Sequence, residues 1–210
     1  MKRRLYYFIM AMAMFLCSNV EVNGQSNNYV QARAILDKTA KIVGRAGGIS
    51  ASFSMNNPSA GTVVGTITVK GNKFYAHTPQ TTVWFNGKTQ WTYMKKNNEV
   101  NISTPTLAQQ QMMNPYTFIN IYKSGYYNMT ATTAGINNEV HLAAKDSRRS
   151  IQEMYITINS KTNIPSKVKM KHNGKWYIIN VSNFSTKNVS NNIFTFNSKD
   201  YPSAEVIDLR

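Results

Sequence analysis

Between Gly61 and Phe196 the chain seldom runs ten residues without a turn signal, and most stretches between turns alternate apolar and polar side chains. Alternation of period two sends successive side chains to opposite faces of a strand, so such a chain must build a sheet with one buried face. Val63, Ile67 and Val69 alternate up to Gly71-Asn72, and residues 74–78 are closed by Pro79. Residues 81–85 and 88–94 flank Asn86-Gly87, a hairpin signal because both residue types accept positive φ. Asn97-Asn98 makes another turn before Val100 and Ile102. The same texture predicts strands over 126–133, 139–145, 151–159, 164–172, 175–184 (after Asn173-Gly174) and, last, 193–196. About eleven short antiparallel neighbours imply a large, strongly curved sheet or barrel.

Two segments break the alternation. Residues 30–43 place Ala34, Ile35, Leu36, Ile42 and Val43 on one helical face, and Gly44, Gly47 and Gly48 stop it. Residues 104–123, with Leu107, Ala108 and Met112 in non-alternating positions, read as one or two short helices interrupted at Asn114-Pro115. The fold class is therefore mainly β with a few helices, a curved sheet covered on one side by helical segments. Its inner candidates are the bulky Phe74, Phe85, Trp91, Tyr93, Met154, Ile156, Ile179 and Phe196.

The first 24 residues stand apart. Lys2, Arg3 and Arg4 precede twelve apolar residues from Leu5 to Leu16, and the segment turns polar up to Gly24. That is the layout of a cleavable secretory signal peptide, with the domain proper over 25–210. The apolar run is shorter than the roughly 20 residues that span a bilayer. Leu16 before Cys17 is a poor lipobox, so the cysteine leaves with the leader. The expected mature chain has 186 residues, no cysteine, and 21 Lys+Arg against 8 Asp+Glu, a net +13. An exported, basic chain meets anionic envelope surfaces far more readily than nucleic acid. Lys167, Lys169 and Lys171 alternate with Val168 and Met170, which puts three ammonium groups on one strand face. A solvated outer face that discourages edge pairing accounts for them first, and an anion-docking face second.

Chemistry is sparse. His77, His141 and His172 are scattered without metal-ligand spacing, the acidic residues form no paired carboxylates, and no nucleophile elbow or glycine-rich phosphate loop occurs. No enzyme, cofactor or metal is expected.

From about Ala34 onward, several motifs in order resemble the periplasmic outer-membrane lipoprotein carrier proteins, the LolA family. They are the helix leading to Ser52-Phe53-Ser54, the strand Gly65-Thr66-Ile67-Thr68-Val69-Lys70, the hairpin Asn86-Gly87-Lys88-Thr89-Gln90-Trp91-Thr92-Tyr93, Asn114-Pro115, Phe194-Thr195-Phe196 and the tail Tyr201–Asp208. The resemblance implies an unclosed eleven-stranded β-barrel with an α-helical lid over a hydrophobic cavity, and a monomeric carrier of an acylated lipoprotein or other lipid. Its partners would be an inner-membrane donor complex and an outer-membrane acceptor. The lid would supply Met112, Met113, Phe118, Ile119 and Tyr122 to the ligand, the thioethers adapting to variable chains. Where the family carries a lid-latching arginine after the Val-Lys strand, this chain has Gly71, with Lys70 and Lys73 as electrostatic substitutes. The competing expectation is a non-enzymatic basic β-module that binds an anionic envelope polymer or surface.

Overall fold

The computed structural model describes residues 21–58, 61–107, 109–110, 114–115 and 120–210, without the side chains of 21–26 and 57. Among the described residues one α-helix, α1 (Glu21–Val43), precedes twelve strands: β1 (Ile49–Asn57), β2 (Gly61–Lys70), β3 (Lys73–His77), β4 (Thr81–Phe85), β5 (Gln90–Met94), β6 (Glu99–Ser103), β7 (Tyr127–Ala134), β8 (Asn137–Ala144), β9 (Ile151–Asn159), β10 (Pro165–His172), β11 (Lys175–Ser185) and β12 (Glu205–Asp208). They form one curved sheet in the order β12-β6-β5-β4-β3-β2-β1-β11-β10-β9-β8-β7, not closed into a barrel. Bulges at Ser50/Ser52, Pro165/Lys167 and Lys171/His172 interrupt the register and add to the curvature.

The strand count of twelve differs from the sequence expectation in three places. β1 is an additional strand, although Ile49, Ala51, Phe53 and Met55 alternate cleanly with Ser50, Ser52, Ser54 and Asn56. Residues expected as a final strand over 193–196 instead include a 3-10 turn at Asn191–Phe194, held by the Ser190 cap. The last strand is β12, and it runs parallel to β6, whereas the other pairings among the described strands are antiparallel. The turns follow their residues. Asn173 and Gly174 both take positive φ in a two-residue hairpin. At Asn86-Gly87 only Gly87 does, because the Asn86 side chain accepts from the amides of Lys88 (3.0 Å) and Thr89 (2.9 Å) and widens the loop to four residues.

β6 lies next to one edge of the sheet and β7 is the opposite edge, so the chain between them connects the two sides, and of its described residues Pro115 borders the concave face. The crossing opens with a reciprocal capping box: the Thr106 amide donates to Gln109 Oε1 (2.7 Å) and the Gln109 amide to Thr106 Oγ1 (3.3 Å). It ends in a 3-10 turn, Ile121–Ser124, stopped by Gly125 at φ 74°.

α1 packs its apolar stripe on β7 and β8. Ala32, Ile35, Leu36, Ala40 and Val43 meet Tyr127, Met129, Ala131, Val140, Leu142, Met154, Ile156, Ile158 and Met170 in the main core. Burying a side chain such as Leu36 completely is worth roughly 1.5–3 kcal/mol. Asn28 on α1 accepts from the Ala131 amide (3.0 Å), which occupies a donor on the exposed edge of β7.

Candidate ligand cavity and its walls

In an antiparallel ladder, directly opposed residues share a face, so the registers assign every side chain. Ile49, Ala51, Phe53 and Met55 of β1 oppose Val69, Ile67, Gly65 and Val63 of β2; Phe74 and Ala76 of β3 oppose Phe85 and Val83 of β4; Ile179 and Val181 of β11 oppose Met55 and Phe53. These are the concave face. A second core cluster, Ile49, Val69, Phe74, Val83 and Phe85, closes its floor, with Phe74 and Phe85 rings 5.5 Å apart.

Above that floor lies a cavity of about 290 Å³ bounded by Ala51, Phe53, Met55, Val63, Ile67, Phe74, Ala76, Val83, Ile179 and Val181, with Ser52 and Thr78 at one end and Pro115 over it. A smaller void of about 80 Å³ shares Ala51, Ile67, Pro115, Ile179 and Val181 and continues toward Val43, Met154, Ile156, Val168 and Phe184. Among the described residues no ionisable side chain lines either space. Chemically the pair can do one thing, which is to take hydrocarbon out of water.

The cover is tied down by side chains. Asn114, only 1% exposed, donates through Nδ2 to the carbonyl of Asn72 in the β2–β3 turn (2.8 Å). At the other end Tyr122, equally buried, donates to Asp37 of α1. Burial, and after it the Asp37 carboxylate, hold the Tyr122 phenol well above its ordinary pKa. Lys70, proposed from sequence as a substitute latch, reaches instead to the Val189 carbonyl (2.9 Å) and pins the segment after β11. The tether between cover and turn thus uses Asn114 and the Asn72 backbone at the place where Gly71 leaves no side chain.

The candidates from the sequence separate into four groups. Phe74 lines the cavity, Phe85 stacks behind it, and Met154 and Ile156 line the smaller void, as does Ile179. Tyr122 sits in the core under α1 rather than against the cavity. Met112, Met113, Phe118 and Ile119 lie outside the described residues.

Trp91 and Tyr93 are a correction: they oppose Trp84 and Thr82, which puts them on the convex face. That face carries its own aromatic layer, in which Tyr201 lies 4.6 Å from Tyr93 and 5.5 Å from Trp84, and Phe196 lies 5.4 Å from Trp84. Phe196, too, therefore packs outside. These aromatics are covered by the C-terminal segment, whose return over β4 and β5 leaves no trace in the local alternation. Cavity residues not singled out from sequence, Ala51, Phe53, Met55 and Val181, were marked by the Ile-x-Ala-x-Phe-x-Met alternation of β1 and by the odd positions of β11.

The three alternating lysines also stand on the convex face. Lys169 Nζ lies 4.4 Å from the Trp176 ring and 5.6 Å from that of Tyr155, while Lys171 lies 3.8 Å from Glu153. Among the described residues no cluster of three or more His, Cys, Asp or Glu could hold a metal ion.

A family model described as outer membrane lipoprotein carrier protein LolA matches residues 24–175. No curated protein matches the sequence. Among solved structures, an uncharacterized conserved protein from Thermus thermophilus is similar at TM-score 0.59 and 13% identity, over 85% of this chain and 99% of that one. MucB aligns at TM-score 0.50 and 11% identity over 80% of this chain and 64% of MucB. A LolA superfamily protein from Nitrosomonas europaea aligns at TM-score 0.45 and 13% identity over 79% of this chain and 97% of that one. At such identities the first two likenesses are of fold alone.

Proposed function

Because the chain belongs to the outer-membrane lipoprotein carrier (LolA) family, we propose that it is a non-enzymatic periplasmic carrier that shields acyl chains in its concave cavity during transfer toward the outer membrane. The observation that carries this reading is the uncharged cavity of about 290 Å³ under Pro115, on the face that twelve curved strands leave open. Each methylene that such a space keeps out of water is worth about 0.8 kcal/mol, which offsets the cost a tail would otherwise meet in the water between two membranes. The cargo is an acylated lipoprotein or another lipid, handed over between an inner-membrane donor and an outer-membrane acceptor. The basic-module alternative is less well supported, since Lys169 is seated on an aromatic ring and Lys171 faces Glu153.

The test is displacement of a fluorescent hydrophobic probe by a diacylated cysteine peptide at low and high salt. Saturable displacement that survives high salt is the expected result, because burial of hydrocarbon is not screened by ions. Failure to take up the probe at all would remove the carrier reading.

A further inference from the structure

The strands of the sheet do not end level. β1, β2 and β11 run for nine, ten and eleven residues, whereas β3, β4 and β5 run for five each. β3 pairs with β2 from Lys70↔Lys73 to Thr66↔His77, and the chain then turns back into β4, the Thr78 amide donating to the Thr81 carbonyl (2.9 Å). The end of β3 closes on Gly65, where a Cβ would lie 2.3 Å from the His77 carbonyl oxygen. Beyond it, residues 61–64 of β2 pair with β1 alone among the described strands. Although β2 lies inside the strand order, this end of it is a bare edge. Alternate residues of an antiparallel strand turn both amide and carbonyl to one side, so a bare edge is a template for another strand.

The protections that usually blunt such an edge are missing here. Gly61, Thr62, Val63 and Val64 include no proline and no charge, and Val64 is 53% exposed. Val64 opposes Ser54 on the convex face, where it and Pro79 line a groove of about 490 Å³ whose surface is mainly apolar. Two of the groove's polar groups are already engaged: His77 Nδ1 lies 2.9 Å from Thr82 Oγ1, and Ser52 Oγ accepts from Asn183 (3.2 Å). An apolar side chain suits this groove better than a polar one.

Electrostatics choose the occupant. Residues 38–98 and 154–199, which contain β1–β5, β10 and β11, include no Asp or Glu. Lys95 and Lys96 follow β5 at the same end of the sheet, the Lys95 amide donating to the carbonyl of Gln80 (2.9 Å), the residue after Pro79. Lys167 opposes Asn180, another residue of the groove. All three lysines are exposed, and none is in an ion pair among the described residues. A second copy of the chain would bring the same cations to the same edge and be repelled, whereas acidic residues are attracted.

We infer that residues 61–64 of β2 are a strand-addition site for an extended segment of another protein, with about four uncharged β-forming residues next to acidic ones. The backbone of that segment pairs with β2, an apolar side chain lies in the groove against Val64 and Pro79, and the acidic residues meet Lys95 and Lys96. This goes beyond the carrier reading and does not rest on it.

The experiment titrates the full chain into the fluorescein-labelled peptide Glu-Glu-Val-Thr-Val-Thr-Val-Glu-Glu and follows anisotropy, with amide hydrogen exchange to locate the contact. Saturable binding is expected, with new protection at alternate amides among residues 61–64. Replacing the glutamates by lysines, or N-methylating the valine and threonine amides, is expected to weaken binding by about tenfold or more. Val64→Asp, at an exposed position, should weaken it similarly while leaving the unfolding midpoint unchanged. No binding, protection confined to other residues, equal binding of the lysine or N-methylated peptide, or undiminished binding to Val64→Asp would overturn the proposal. So would protection of the same amides on concentrating the chain without peptide, which would assign the edge to a second copy. Uptake of a hydrophobic fluorophore by the same preparation reports on the carrier reading separately.

Discussion

On the β7–β10 side of the concave face, Ala32, Leu36 and Ala40 of α1 lie against Met129, Val140 and Leu142, all of them less than a tenth exposed. On the side of β1, β2 and β11, the corresponding residues Phe53, Met55, Ile67, Ile179 and Val181 are only half-buried and enclose space. The strands on the two sides have the same apolar alternation. What differs is the filler. Alanines at 32 and 40 let the helix approach β7 and β8 closely, while of the described α1 side chains only Val43 reaches the void on the other side. There the small side chains Ala51 and Ala76 widen the space further. A single helix thus divides one sheet into a close-packed half and a receiving half, and the division follows from helix position rather than from strand composition.

The sharpest way to break this contrast is truncation on each side. Leu36→Ala should cost about 2–5 kcal/mol in denaturant unfolding, because the close-packed surroundings cannot collapse into the gap. Ile67→Ala, which merely enlarges existing space, should cost about 1 kcal/mol. Equal losses would mean that the two halves are packed alike. Next in size is Ala51→Phe, which fills the cavity from its β1 wall. It should weaken hydrophobic-probe binding more than about tenfold, or about 1.4 kcal/mol, while stability changes by less than the Leu36→Ala loss. Retained binding would place the ligand elsewhere.

Asn114→Ala tests the tether between cover and turn. Loss of its hydrogen bond to Asn72 should cost about 1 kcal/mol of stability and speed probe entry in stopped-flow fluorescence. Unchanged entry would show that the cover is not held there. The smallest effect concerns Tyr122. Its folded pKa is raised, so the neutral phenol is favoured in the native state, and this stabilisation is complete below the unfolded value near 10. It is lost as pH rises above that value toward the folded pKa. Tyr122→Phe should therefore flatten the stability decline seen above about pH 10, measured as the difference in unfolding midpoint between the two proteins. An identical decline in both would remove Tyr122 from the pH response.

Much of this architecture was legible from residue order. The alternation of β2–β5 and β7–β11 and the helical face around Leu36 follow from local periodicity. The capping box at Thr106 was readable by the same kind of rule. The face assigned to Trp91 and Tyr93 was not legible, because alternation reveals which residues share a face and not which face is concave. Both sides of β4 are covered, one by the cavity floor and the other by Phe196 and Tyr201 arriving from over a hundred residues away. β12 escaped for a related reason: its four residues are mostly exposed, and their place is fixed by parallel pairing with β6 rather than by a buried stripe. The tether at Asn114 depends on a backbone carbonyl 42 residues earlier, a partner with no side-chain signature.

The position of β1 also governs the order in which the molecule can be assembled. β1 lies between β2, its immediate successor, and β11, whose residues follow it by more than a hundred positions. The hairpins β2–β6 and β7–β11 can each zip from local turns, but the seam joining them waits for Ile178–Ser185 to meet Ser50–Asn56. Closing so long a loop raises contact order and slows the final step. A chain emerging amino end first would hold Phe53 and Met55 on an unpaired strand edge until nearly the whole sequence had appeared, the interval in which a strand-binding chaperone would find its template.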